Sequence, residues 1–109
     1  MTRGIVQVGT WKYDGSVERP VDIIALEVDW WYELARVEGQ LDSDERPMPL
    51  GPQGCLYYAR FKHAGTAIEP TFVDTPGFQT LEEAKSAAQR KVDSLIQWKE
   101  QSKSSVEGS

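Results

Sequence analysis

The sequence is poor in the residues on which several kinds of functional site depend. Its 109 residues include one cysteine, Cys55, and one histidine, His63. A disulfide within the chain is therefore impossible, and a triad or a histidine-based metal site would rest on one side chain. No glycine-rich phosphate-binding loop occurs. A lone thiol is typical of a reducing compartment. We predict no metal, no cofactor, no catalytic residues and a cytoplasmic location.

Basic charge and long apolar runs are also scarce. The chain has 12 basic and 17 acidic residues and a net charge of −5, whereas nucleic-acid binding requires a clustered basic surface. No apolar run approaches the roughly 20 residues of a membrane span. The first dozen residues lack the apolar core of a secretory signal. We expect neither nucleic acid nor a membrane as a partner.

What the sequence contains is the composition of one soluble domain. Hydrophobic residues make up 39% and charged residues 27%, which is ordinary for a globular protein. We predict a single domain over residues 1–99, with a long proline-, glycine- and acid-rich loop over 38–54 and a polar, disordered tail over 100–109. A domain of this size buries a small core, and no disulfide supports it, which favours a homodimer.

Four strands are indicated by β-branched and aromatic residues between turn signals. The predicted strands are residues 5–13, 21–37, 55–63 and 67–74. Asp14-Gly15-Ser16 is a predicted turn, Ala64-Gly65-Thr66 is a predicted hairpin turn, and Pro70 favours an edge or bulge position for the fourth strand.

The second of these strands carries the clearest pattern. Even-numbered positions from 24 to 34 are all apolar, which is the period-two signature of a half-buried strand. Trp30, Leu34 and Val37 also have helical spacing, but a helix would scatter Val28 and Tyr32 around its circumference. We therefore favour a strand.

A helix is predicted after residue 80. Thr80 and Glu83 have the spacing of a capping box, and an apolar stripe continues to about Lys99. The predicted fold is α+β, with about four mainly antiparallel strands followed by one C-terminal helix packed on one sheet face. That face would be the even-numbered side of the second strand, with Trp30 and Trp98 in the core.

The opposite sheet face is the predicted functional surface. Its odd-numbered side chains are aromatic or acidic: Trp11, Tyr13, Glu27, Asp29, Trp31 and Glu33. Aromatic rings beside carboxylates attract organic cations. We expect this face or cleft to bind a small amphipathic or cationic ligand, or a basic partner protein. The same aromatic residues would equally suit the core of a homodimer interface.

Two other functional classes stay open. The strand carboxylates would suit an acid–base enzyme if one of them had a shifted pKa inside a cavity. A pure interaction module is the other alternative. Residues 72–78 followed by 80–84 resemble the D-x-P-G and T-x-E-E-A pattern of HicB-type antitoxins, which implies a partner protein. The rest of the chain does not match that family, a capping box after a turn accounts for the same residues, and we do not assign the chain to it.

Overall fold

A computed structural model of the chain describes residues 2–61, 64 and 73–99. Its elements are β1 (Thr2–Tyr13), β2 (Val17–Leu26), α1 (Trp30–Val37), β3 (Leu56–Arg60), α2 (Leu81–Arg90) and β4 (Gln97–Trp98). The strands form one antiparallel sheet in the order β3-β2-β1-β4. The predicted α+β class and antiparallel sheet are confirmed. No helix in the described part of the chain is long and apolar enough to cross a membrane.

The β1–β2 hairpin closes at the predicted Asp14-Gly15-Ser16 turn. Asp14 has φ 57° and Gly15 has φ 75°. Asp-Gly is favoured in tight hairpins because these two residue types tolerate the left-handed region. The Ser16 N–H donates to the Tyr13 carbonyl over 3.2 Å. This turn fixes the register that pairs Trp11 with Arg19.

The prediction of one long strand over residues 21–37 is correct only for its first part. β2 ends at Leu26, and Trp30–Val37 is a helix. Asp29 caps this helix, because its Oδ1 accepts the Tyr32 N–H at 3.1 Å. Aspartate is one of the best residues for this position, so the cap outweighs the apolar alternation. In this segment the helical spacing of Trp30, Leu34 and Val37 was the correct pattern.

Helix α2 packs on the odd-numbered face of β2, and the predicted even-numbered face is wrong. The buried cluster on this side combines sheet, α2 and post-helix residues: Val21, Ile23, Ala25, Cys55, Tyr57, Ala59, Ala84, Ala88 and Ile96. Val21–Leu26 are all buried, on both faces. Alternation therefore could not identify the helix side. Small alanines on both elements allow close packing.

The even-numbered face carries a second apolar cluster. Its buried members are Ile24, Leu26, Leu56, Tyr58 and Val73, and Val28 and Trp30 pack against it. Trp98 packs instead on the α2 side. The two tryptophans predicted for one core therefore lie on opposite faces of the sheet. Asp22 and Arg60 are paired across β2 and β3 and form a fully buried bidentate ion pair.

Helix α2 begins as predicted and ends early. Thr80 Oγ1 accepts the Glu83 N–H at 3.2 Å, which confirms the cap. The helix ends at Arg90, although the apolar stripe continues to Lys99. Gln97–Trp98 instead forms β4, paired with β1.

The polar side chain of Gln89 accounts for the early end of α2. Its Nε2 donates to the Ser94 carbonyl at 2.8 Å, and its Oε1 accepts the Ile96 N–H at 2.9 Å. These two bonds hold the chain in a non-helical path toward β4.

The outer edge of β3 is occupied by residues 73–78. The Asp74 N–H donates to the Ala59 carbonyl at 2.8 Å, and Tyr57 and Phe78 exchange two backbone hydrogen bonds. Val73 and Asp74 are not in a strand. The rest of the predicted fourth strand, most of its preceding turn, His63 and the tail over 100–109 lie outside the described residues.

Candidate functional site

The outer half of the β1–β2 hairpin extends beyond the core. Residues 17–20 of β2 are exposed, whereas residues 21–26 are buried. On the odd-numbered face of this extension, the Trp11 and Tyr13 rings meet edge to face with centroids 6.1 Å apart. Phe61, just beyond β3, meets the Trp11 ring in the same way at 6.3 Å. Three aromatic rings therefore stand together on one surface.

These rings line an open cleft of about 760 Å³ between the hairpin and the end of α2. We call it the aromatic cleft, and its lining residues are Trp11, Tyr13, Arg19, Pro20, Phe61, Asp74, Lys91 and Val92. A smaller cleft of about 460 Å³ adjoins it and shares Trp11, Tyr13, Lys91 and Val92. A volume of this size accommodates a typical small-molecule ligand.

Two cations and one carboxylate contribute charge to the aromatic cleft. The Arg19 guanidinium lies over the Tyr13 ring, 5.7 Å from its centroid. Lys91 caps the C-terminal end of α2, where the helix dipole favours positive charge. Asp74 Oδ2 accepts the Phe61 N–H at 2.7 Å. The carboxylate is therefore already engaged by the backbone, while both cations are on exposed side chains.

The indole N–H of Trp11 is a further polar feature. Nε1 is buried and has no hydrogen-bond acceptor among the residues that the structure describes. A buried donor without an acceptor costs about 1–3 kcal/mol. Such groups are rare in folded proteins and call for a specific explanation.

The structure brings together only two of the six predicted site residues, Trp11 and Tyr13. Glu27 follows β2 and precedes α1. Asp29 caps α1 and also accepts the Met48 N–H at 2.7 Å. Trp31 lies on α1, where its Nε1 donates to the Thr75 carbonyl at 2.9 Å.

Glu33 also lies on α1, in an ion pair with Arg36 at 2.6 Å. The pair is local to one helix turn, and its hydrogen bond and charge raise the pKa of Arg36. None of the three predicted carboxylates lines the aromatic cleft or its neighbour. The prediction that they project from one strand face is wrong, because the strand ends before Asp29.

Six cleft residues were missed from the sequence: Arg19, Pro20, Phe61, Asp74, Lys91 and Val92. Arg19 could have been found, because the Asp14-Gly15 turn sets it opposite Trp11. Phe61 follows β3 and keeps the odd parity of its core-facing residues, but strand order was not evident. Lys91 and Val92 were hidden by the prediction that α2 continues through them.

Neither metal ligands nor a nucleophile are evident in the cleft. The described residues contain no group of three histidine, cysteine, aspartate or glutamate side chains placed to hold a metal ion. Cys55 is fully buried in the core on the α2 side. The geometry of the cleft suits binding by rings and charges.

We found no match to this chain among protein family models, curated proteins or solved structures.

Proposed function

We propose that this protein binds a small amphipathic molecule in the aromatic cleft, and that the ligand has a flat apolar body and an anionic group. The observation that carries the proposal is the meeting of three aromatic rings in one cleft with two exposed cations beside them. The proposed ligand charge differs from the one expected from the sequence, because the predicted carboxylates do not line this cleft.

The apolar part of the ligand follows from the ring geometry. Trp11 stands edge to face with both Tyr13 and Phe61, at interplanar angles of 83°. A flat ring entering the cleft would find both faces and edges of aromatic neighbours, which is the arrangement that aromatic groups prefer. Pro20 and Val92 add apolar surface.

The charged part follows from Arg19 and Lys91. The face of Tyr13 is already occupied by the Arg19 guanidinium, so a cationic ligand would have to displace a like charge. An anion would instead be attracted by both side chains, and a carboxylate could form two parallel bonds to the guanidinium. Asp74 opposes this preference, but its one negative charge is outnumbered by the two cations that line the cleft.

Trp11 supplies a reason for the ligand to carry an acceptor near the apolar body. Its buried Nε1 has no acceptor within the described part of the chain. A small rotation of the ring that brought this N–H to a ligand oxygen would recover the free energy of an unmade hydrogen bond.

Isothermal titration calorimetry with two matched probes tests the proposal. 2-Naphthoate and 2-naphthylmethylammonium share one flat apolar body and differ in the sign of charge. We expect 2-naphthoate to bind at least roughly tenfold more tightly, since a charge-assisted hydrogen bond contributes about 1.5–3 kcal/mol. Arg19→Gln should weaken 2-naphthoate binding and narrow the difference between the probes.

Arg46→Gln is the matched control, because Arg46 is an exposed arginine outside the cleft. It should leave the affinity for both probes unchanged. If neither probe binds, the proposed function is overturned. Tighter binding of the ammonium probe, or equal effects of the two arginine substitutions, would overturn the anionic preference.

A further inference from the structure

Helix α1 and the loop after it form a surface that is separate from the aromatic cleft. Eight large apolar side chains are exposed among the described residues, and four of them lie here: Trp31, Val37, Met48 and Leu50. None of the residues of α1 is buried. We call these four side chains, with the charged residues of 27–46, the α1–loop surface.

The net negative charge of the chain comes from the segment that forms this surface. Residues 27–46 contain seven acidic and two basic side chains, a net charge of −5, which equals the net charge of all 109 residues. The remaining chain has ten residues of each sign. A concentrated negative field beside exposed apolar groups attracts positively charged partners and steers their approach.

The part of this surface next to α1 is held in place by bonds to the rest of the fold. Asp29 Oδ2 binds the Met48 N–H, and Gln79 Nε2 donates to the Pro49 carbonyl at 2.8 Å. Gly51 packs so closely on the Gln79 carbonyl that a Cβ at that position would lie 2.0 Å from its oxygen. A surface fixed in this way loses little conformational entropy on binding.

We propose that the α1–loop surface docks a basic amphipathic segment of a partner protein. Apolar side chains of the partner would contact Trp31, Met48 and Leu50, and its lysines or arginines would meet the acidic residues around them. This site is independent of ligand binding in the aromatic cleft.

The charge excludes the other occupants. In a two-fold dimer the α1–loop surfaces of two copies would contact each other, and their negative charges would repel. The two longer undescribed segments of the chain are not basic either: residues 65–72 contain one glutamate and no basic residue, and residues 100–109 contain one lysine and two glutamates.

Fluorescence anisotropy with a defined peptide tests the proposal. The probe is a short fluorescein-labelled amphipathic helix of leucine and lysine, compared with the same peptide carrying glutamate for lysine. At physiological ionic strength the Debye length is about 8 Å, which screens charges far from the contact. We expect the lysine peptide to bind and the glutamate peptide not to bind.

Paired substitutions separate docking from general charge attraction. Asp42→Lys with Asp44→Lys should weaken lysine-peptide binding roughly tenfold or more, because contacts become repulsive. Glu18→Lys with Asp93→Lys changes net charge equally at exposed sites outside the surface, and should change affinity less than about twofold.

Met48→Ser with Leu50→Ser leaves the net charge unchanged and removes apolar contacts, so it should weaken binding roughly fivefold or more. Circular dichroism is the check that each variant folds. Absence of lysine-peptide binding, equal effects of the two charge reversals, or wild-type affinity in the serine variant would each overturn the proposal.

Discussion

Tyr58 is the side chain that ties the sheet to α1. Its hydroxyl accepts the Trp30 N–H at 2.7 Å and donates to the Val28 carbonyl at 3.3 Å. One buried phenol therefore satisfies two backbone groups where the chain leaves β2 and enters the helix. The sequence does not indicate this role for Tyr58, because the helix that it holds was not predicted.

Burial raises the pKa of Tyr58 to about 12, the nearby Asp29 carboxylate adds to the shift, and the Trp30 hydrogen bond opposes it. An unfolded tyrosine ionises near pH 10. Between these values the unfolded chain releases a proton that the folded chain retains, so stability falls as pH rises from about 10 to 12. Urea unfolding at a series of alkaline pH values measures this fall.

Tyr58→Phe is the control for that pH dependence. The variant should be less stable at neutral pH by about 1–3 kcal/mol, because the Trp30 N–H loses its acceptor. Its stability should also fall less steeply between pH 10 and 12. Identical pH profiles for the two proteins would contradict the assignment of the shifted pKa to Tyr58.

At the scale of elements, helix starts and helix ends were not equally predictable. Thr80 and Glu83 predict the start of α2, because the capping contact joins two residues only three positions apart in the sequence. The end of α2 depends on bonds from Gln89 to Ser94 and Ile96, and no apolar pattern reveals them. Asp29 could have predicted the start of α1, but the apolar alternation at positions 24–34 favoured a continuous strand.

We predict that Gln89→Ala loosens β4 without unfolding the sheet. The substitution removes partners of the Ser94 carbonyl and the Ile96 N–H, and the chain between α2 and β4 loses its support. Hydrogen exchange of the Lys99 amide, which donates to the Val8 carbonyl at 2.8 Å, should accelerate roughly tenfold or more. Gln97→Ala, at an exposed position in β4, is the control, and an equal effect would contradict the role of Gln89.

At the scale of the whole molecule, the sequence predicted the class of fold and missed the arrangement of its faces. Antiparallel strands, the hairpin turn and the start of α2 depend on local signals. Which face α2 covers depends on the fit between Ala84, Ala88 and the sheet, and β2 is apolar on both sides. The predicted site is divided in the structure, because Trp11 and Tyr13 lie on the hairpin, whereas Trp31 and Glu33 lie on α1 and Asp29 caps it.

The homodimer stays a prediction, and the distribution of charge restricts where it can form. The α1–loop surface is too acidic to face itself. The exposed apolar residues left outside it include Tyr13 and Val17, which pair at the tip of the hairpin. Sedimentation equilibrium should give twice the 12.3 kDa chain mass, with weaker association in Val17→Ser. A mass of one chain at all concentrations would contradict this prediction.

The central claim is that the aromatic cleft binds an amphipathic anion, and the indole N–H signal of Trp11 tests it most directly. Proton–nitrogen correlation spectra resolve the four tryptophan side chains, and Trp11→Phe identifies the relevant one. On titration with 2-naphthoate we expect the Trp11 signal to shift and saturate, with intermolecular Overhauser effects to the naphthalene ring and no change at Trp31. An unchanged Trp11 signal, at 2-naphthoate concentrations that shift other signals of the protein, would contradict the account.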